Sequence, residues 1–493
     1  MMKHLVILLI LFVGPAVVAQ QAITFSNLLK DGLYNNYDIK LRDVALRKSE
    51  STLYAVQGSL LPYFTFSIGK GVGKVPDLSQ QGTNYLETQY INPTISGVDI
   101  YAGTRLENTS MLDATYYNGS GVWAGARIPL LRGLGSRSLL STSIQASEIG
   151  KKIAEQELSN EVLVYTRDML SAYLSFNRYH EQIALRQMSR QEAQEYQGFI
   201  YELIEQDEIP RVEKSRADVL VAQQDQEQTN ARIQALNAYY RLLILVGISQ
   251  TSTTKEIPSI KEIIPDPDPE VIRRFINDHS SINDQLLMNT PLYRTLELSM
   301  EENRINLLYA ENQKKNELDL NVRLSHFGVY TEEQNFHFIN TLRSAFPGSS
   351  ASLSLTYTLP LKNQRQEGAY LQQLEMYNAS KTNLDQLKFE LRTQSQNALA
   401  ALDQLLQFYA DIQELVEIRE KAYEDEEEKY RLGNATQIDV ILSFENYYQA
   451  QSNLIDLKFQ IFDTLVEIKY LLGLMPRHLG QLESSDLNNF LIQ

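Results

Sequence analysis

Two hydrophobic periods share this chain. From Ser352 to Leu359 the period is two: Leu353, Leu355, Tyr357 and Leu359 are apolar, and Ser352, Ser354, Thr356 and Thr358 are polar. That alternation predicts a strand with one apolar and one polar face. Pro360 ends it. From Ala369 to Leu432 there is neither Gly nor Pro, and Gly433 stops the run. As one helix the run would span roughly 95 Å at 1.5 Å per residue. Leu384, Leu391, Ala398, Leu405 and Ile412 fall seven apart, interleaved with Ser395, Leu402, Tyr409 and Val416. This is a coiled-coil seam. Leu387, Leu399, Leu406, Leu415 and Ile418 widen it, which predicts a helix packed against two neighbours in a curved wall.

The rest of the chain uses the same two patterns. Phe25 to Leu60 reads as helix, ended by Pro62. Tyr63 to Gly69 alternates as a strand. Lys74 to about Asn118 is rich in Gly, Asn, Thr, Ser and Tyr and reads as a long exposed loop. Gly121 to Leu130 is a second strand, closed by Pro129 and Gly133-Leu134-Gly135. Helices follow over Ser138 to Gln197 and Arg211 to Val246, parted by a turn at Asp207-Glu208-Ile209-Pro210. Residues 249–269 are Ser/Thr- and then Pro-rich, a linker with Asp268 as N-cap and Pro269 at the first helical position.

The order then repeats. Asn289-Thr290-Pro291 leads into a helix through Lys315, Leu318 to Leu324 alternates as a third strand, and a loop to about Ser350 precedes the opening strand and its long helix. A last helix runs from about Thr436 to Leu472. Landmarks pair at nearly constant spacing: Asn35 with Asn289, Pro129 with Pro360, Asp207 with Gly433, and Gly247 with Gly473. The spacing drops by 23 residues (254 − 231) within the strand–strand loop, which is longer in the first half. Such a duplication signals architecture. The predicted divisions are 1–19 as a signal peptide, 20–248 as a first repeat, 249–285 as a linker, 286–475 as a second repeat and 476–493 as a tail. Four strands cannot close a membrane barrel, for which about eight is the floor. Either the sheet is soluble or several chains complete one barrel.

Composition narrows the class. Lys3 and His4 precede the apolar run Leu5 to Val13, and Val17-Val18-Ala19 offers small residues for cleavage, so the chain reads as exported. It contains no cysteine and carries a net charge of −16. That charge argues against a nucleic-acid partner, whose phosphates demand a basic surface. The six histidines lack metal-ligand spacing, and His180-Glu181 lacks the second His of a zinc helix. Gly69-Lys70-Gly71-Val72-Gly73-Lys74 lacks the spacing and the Ser/Thr of a phosphate loop. No catalytic constellation and no cofactor motif is present. Glu424-Asp425-Glu426-Glu427-Glu428 is an acidic run, a solvated helix face or a surface for a basic partner.

These residues resemble the TolC-like outer-membrane efflux proteins of Gram-negative bacteria. The strongest match is Tyr430-Arg431-Leu432-Gly433-Asn434-Ala435-Thr436-Gln437-Ile438-Asp439-Val440, the helix–turn–helix tip of the second repeat. Tyr357-Thr358-Leu359-Pro360-Leu361 resembles the family's strand-end motif, and Pro129 holds the matching place in the first repeat. Asn35-Asn36-Tyr37 and Asn289-Thr290-Pro291 resemble its helix starts. The resemblance covers roughly residues 22–475. It implies a mainly α chain with a small β part, assembled as a homotrimer. Each chain would give four strands to a twelve-stranded transmembrane β-barrel in outer-membrane lipid, continued by a periplasmic α-helical barrel. It implies passive export of small molecules or proteins, in tripartite efflux or type I secretion, docked to a periplasmic membrane-fusion adaptor and an inner-membrane pump. It implies a gate at the helix tips with Glu213, Tyr430, Gly433 and Asp439, including a Glu213–Tyr430 hydrogen bond. This chain departs from the pattern at Ala435, where some members are basic, and at Leu442, where a further carboxylate is usual. The competing reading is an exported coiled-coil scaffold of the periplasm with soluble sheets.

Overall fold

The computed structural model describes residues 24–72, 80–111, 116–248, 257–260, 264–280, 284–331, 341–342 and 346–475. The expected signal peptide, the tail and most of the Ser/Thr-rich part of the linker lie outside the described residues. The chain forms two compact units. One is drawn from Met1–Lys40, Asn160–Thr290 and Leu391–Gln493, the other from Leu41–Ser159 and Pro291–Glu390.

The second unit holds an antiparallel sheet of six strands in chain order: β1 (Tyr63–Val72), β2 (Gln80–Pro93), β3 (Asp99–Met111), β4 (Tyr116–Pro129), β5 (Glu317–Thr331) and β6 (Phe346–Thr358). The expectation of four strands per chain is therefore corrected to six among the described residues. β2 and β3 fill the stretch read as a loop, and β6 begins at Phe346, inside the second expected loop. The misreading has a physical cause. In β2 and β3 the apolar positions are occupied partly by Thr88, Tyr90, Ala102 and Thr104, so alternation is weak and Gly/Asn/Thr content dominates. Strands of this kind carry a weak signal per segment.

Register gives the sheet two distinct faces. Phe66 pairs with Thr88, Thr88 with Thr104, Thr104 with Val122 and Val122 with His326. On the same face lie Phe64, Ile68, Leu86, Ile100, Leu106, Ala124, Leu320, Val322, Leu324, Leu353 and Leu355. Most of these side chains are exposed, Phe66 at 73%, Ile68 86%, Leu324 60% and Leu353 72%, while Leu106, Leu320 and Val322 are half-buried. The opposite face carries charge. Arg105 lies between Glu87 (3.8 Å) and Glu107 (3.1 Å), and Arg127 between Asp99 (3.7 Å) and Asp319 (3.0 Å). The Arg323 guanidinium sits 4.8 Å from the centre of the Trp123 ring. Gly69 and Lys70, weighed as part of a phosphate loop, are ordinary residues of β1.

Helices complete both units. α1 (Phe25–Asn35) and α2 (Tyr37–Gly58) divide the helical stretch at the expected helix start, Asn35-Asn36-Tyr37. The break is Asn36, whose Oδ1 accepts from the N–H groups of Asp38 (2.9 Å) and Ile39 (3.0 Å) while Nδ2 donates to the Leu245 carbonyl (3.3 Å). The other helices given in full among the described residues are α3 (Leu139–Glu205), α4 (Glu213–Val246), α5 (Pro269–His279), α6 (Asp284–Leu287), α7 (Pro291–Gln313), α8 (Gln364–Arg431) and α9 (Gln437–Leu471), with a short 3-10 turn at Gly135–Arg137. Asp268 caps α5 as expected, accepting from Glu270 and Val271 N–H groups. α8 begins before Gly368, because a glycine inside a helix costs only about 1 kcal/mol and the Asn363 carbonyl already accepts from Glu367 N–H.

The coiled-coil seam of α8 is present but shifted. Leu391, Ser395, Leu399, Leu402, Leu406, Tyr409 and Ile412 are buried, while Ala398 and Leu405 are half-buried. Of the side expected to widen it, Leu399 and Leu406 are buried and Leu387 and Leu415 half-buried, while Ile418 is 54% exposed, as is Phe408 at 53%. Polar bonds tie α3 to two neighbours. Ser189 donates to Gln224 of α4 (2.5 Å), and Gln182 donates to Asp456 of α9 (2.5 Å). The Lys458 ammonium, only 9% exposed, meets Glu181 of α3 at 3.0 Å and Asp266 at 3.2 Å.

Candidate functional site

The helix ends named by the sequence come together in the first unit. α3 turns into α4, and α8 into α9, through turns of matching geometry. Asp207 has φ 58° and Gly433 φ 77°, both left-handed. Asp207 N–H reaches the Ile204 carbonyl and Glu208 N–H the Leu203 carbonyl; Gly433 N–H reaches Tyr430 and Asn434 N–H reaches Lys429. Both close a helix in the Schellman manner. The spacing is the same 226 residues (433 − 207) at every one of these bonds. Gly247 and Gly473 repeat the pattern at the far ends of α4 and α9, with φ 74° and 67°. Aspartate tolerates the left-handed region better than most residues, so the first turn works without glycine.

Both turns rest on one aromatic core. Leu185, Ala193, Tyr196 and Ile200 of α3, Ala217 and Leu220 of α4, Tyr423 of α8, and Val440, Phe444 and Tyr448 of α9 form a single buried cluster. The Tyr448 hydroxyl donates to the Glu192 carboxylate, and Tyr447 donates to Glu420 at 2.9 Å. Gln437 Nε2 crosses between the turns to the Glu213 carbonyl at 3.2 Å.

The four expected gate residues are placed as follows. Gly433 is the turn itself. Glu213 opens α4, and its carboxylate accepts twice from Arg216 Nη1 (2.9 and 2.8 Å). Tyr430 is half-buried, with its ring 6.3 Å from that of Tyr196. Burial first, and the Glu213 charge second, push its phenol above the usual range. Asp439 closes a capping box: Thr436 N–H and Oγ1 donate to its Oδ2 at 3.0 and 2.6 Å. The Thr436 hydroxyl, then its N–H, hold this carboxyl below its ordinary value. Among the acidic run, Glu426 is taken by Lys429 and Glu427 by Arg431, while Glu424, Asp425 and Glu428 are exposed.

Pro129 is the last residue of β4, and Leu130 N–H continues the ladder to the Leu318 carbonyl (2.7 Å). Pro360 follows β6 and precedes α8. Both junctions are pinned by the α7–β5 connection. Asn312 Oδ1 accepts from Gly133 N–H (2.8 Å), and Asn363 Nδ2 donates to the Lys314 carbonyl (2.9 Å).

A further tip contact lay outside the sequence reading. Asp218 accepts from the Tyr201 hydroxyl and from Gln197 Nε2 (2.7 Å), across the α3–α4 turn. No short-range spacing signals it. The Tyr201 bond is the main cause that holds the Asp218 carboxyl below its ordinary value. A depressed carboxylate contributes stability above its unfolded pKa, about 3.9, that is lost as pH falls through the folded value. Asp218→Asn, which cannot titrate, is expected to flatten the acid limb of a helix-melting profile below about pH 4. A limb as steep as wild type would deny this linkage.

No protein-family model matches the chain, and no curated protein matches it. Solved structures do. The CmeC outer membrane channel of Campylobacter jejuni aligns at a TM-score of 0.62 with 15% identity, over 95% of this chain and 89% of that one. The outer membrane protein VceC of Vibrio cholerae aligns at 0.64 with 12% identity, over 91% and 96%. The MtrE outer membrane channel of Neisseria gonorrhoeae, in its open state, aligns at 0.60 with 14% identity, over 91% and 88%. With nearly whole chains superposed on both sides, this chain has the fold of the TolC-like outer-membrane channels.

Proposed function

We propose that this chain is a subunit of a trimeric outer-membrane channel that passively exports small molecules or proteins. The observation that carries this reading is the sheet. Its apolar face is exposed over all six strands, its other face is charged, and β1 and β6 each have one edge without a partner among the described residues. A single sheet in lipid would leave those backbone groups unsatisfied, whereas a closed ring of copies satisfies them. The uncovered Phe408 and Ile418 on α8 likewise suit a helical wall shared between copies. The helical unit then walls a periplasmic tunnel.

The matched turns support an internal duplication, with 20–248 and 286–475 as its halves and 249–285 between them. The tips are the proposed periplasmic gate and the place where an adaptor and an inner-membrane pump, of an efflux or type I secretion system, dock. The exposed Glu424, Asp425 and Glu428 offer a basic adaptor surface its complement. No chemistry is asked of the chain, so it is no enzyme and needs no cofactor.

Heat-resistant trimers in detergent-extracted outer membranes are the expected finding. Recovery of the chain from the soluble periplasm would overturn the channel and leave the coiled-coil scaffold. For the gate, the double variant Glu213→Gln, Tyr430→Phe is expected to raise conductance in a planar bilayer. An unchanged conductance would remove this pair from the gate.

A further inference from the structure

We propose that three copies of this chain close an eighteen-stranded barrel, wider than the twelve-stranded one that four strands per chain would form. The inference rests on the trimeric-channel reading above and deepens it. Its basis is that the β2–β3 hairpin is built into the wall. The hairpin pairs with β1 on one side and β4 on the other over essentially its whole length. Its apolar positions, Leu86, Ile100 and Leu106, continue the uncovered apolar face. Its charged positions, Glu87, Asp99, Arg105 and Glu107, belong to the opposite face, where Asp99 meets Arg127 of β4.

The far end of the hairpin is fixed as well. Thr94 closes the β2–β3 turn, its Oγ1 donating to the Val98 carbonyl at 2.7 Å. Gly135 N–H then donates to Ser96 O (2.9 Å), and Ser138 Oγ donates to Ile95 O (2.6 Å). Gly97, at φ 81°, lies so close to the Gly133 carbonyl that a Cβ would sit 2.3 Å from it. The turn is thus docked on the segment that leads from β4 into α3.

One hairpin adds an even number of strands. β1 and β6 therefore run antiparallel, and β6 of one copy can pair with β1 of the next without any change of direction. Barrel diameter grows roughly linearly with strand number, so the lumen is about 1.5 times as wide as with four strands per chain. Barrels of this size leave an aqueous channel. The lining of paired Arg and carboxylate side chains suits large hydrated cargo.

The chain has no cysteine, so single thiols report without background. Gln89→Cys and Glu107→Cys lie on the charged face, and Thr88→Cys and Thr104→Cys on the apolar face. In heat-resistant trimers reconstituted into liposomes, a membrane-impermeant maleimide is expected to label the first pair and spare the second. Neutral polyethylene glycols are expected to enter the pore up to a radius about 1.5 times that set by a twelve-stranded barrel. Trimers in which all four sites label alike, or which exclude polymers as a twelve-stranded barrel does, would overturn the strand count alone. Absence of trimers would overturn the channel reading and the barrel with it.

Discussion

Leu353→Arg should abolish stable trimers, whereas Ser354→Arg, one residue on, should be tolerated. Leu353 is 72% exposed near the middle of β6, opposite Val322, on the uncovered apolar face. An arginine on the lipid face of a membrane barrel costs about 2–4 kcal/mol at the bilayer midplane. Three copies carry the change at once, and the total approaches the whole stability of an ordinary domain. Ser354 pairs with Asn321 on the charged face, where an added guanidinium stays in water. Heat-resistance of detergent-extracted trimers distinguishes the two. Equal loss, or equal tolerance, would mean that the faces are not lipid and water.

Phe444→Ala should destabilise the helix tips by about 3–5 kcal/mol, the usual range for truncating a buried aromatic. Phe444 is 1% exposed, its ring 5.6 Å from that of Tyr423 and 4.7 Å from that of Tyr448. It belongs to a cluster that joins α3, α4, α8 and α9. Truncation leaves a cavity under both turns, so the tips should open earlier on heating and become sensitive to protease. A melting profile within about 0.5 kcal/mol of wild type, the range of ordinary surface changes, would deny the cluster its structural role.

Much of this fold was legible in the sequence, and what was missed has physical causes. Long runs without Gly or Pro marked α4, α8 and α9 within a few residues, because helix periodicity accumulates over many turns, whereas α3 runs through Gly198 to Glu205, eight residues (205 − 197) beyond the expected end at Gln197. Gly433, Gly247 and Gly473 marked turns because left-handed backbone favours glycine, and Asp207 was found through its spacing from Gly433. Strongly apolar strands such as Leu353–Leu359 were equally clear. β2 and β3 were not. A strand with lipid on one face and water on the other can fill its apolar positions with Thr, Ala and Tyr, and such a stretch has the composition of a loop. The excess of 23 residues in the first half did point to an insertion there, though not to its pairing. At the tips, the resemblance to the TolC-like proteins pointed to Glu213, Tyr430 and Asp439. It could not show that Arg216 holds the Glu213 carboxylate, or that Asp439 caps its own helix. Those outcomes depend on which of several neighbouring donors lies closest in three dimensions.

The most direct test of a channel is current. Purified trimers in a planar bilayer should give discrete, long-lived conductance steps, larger than those of a twelve-stranded barrel of the same fold. A bilayer that stays electrically silent with correctly folded trimers present would contradict the assignment.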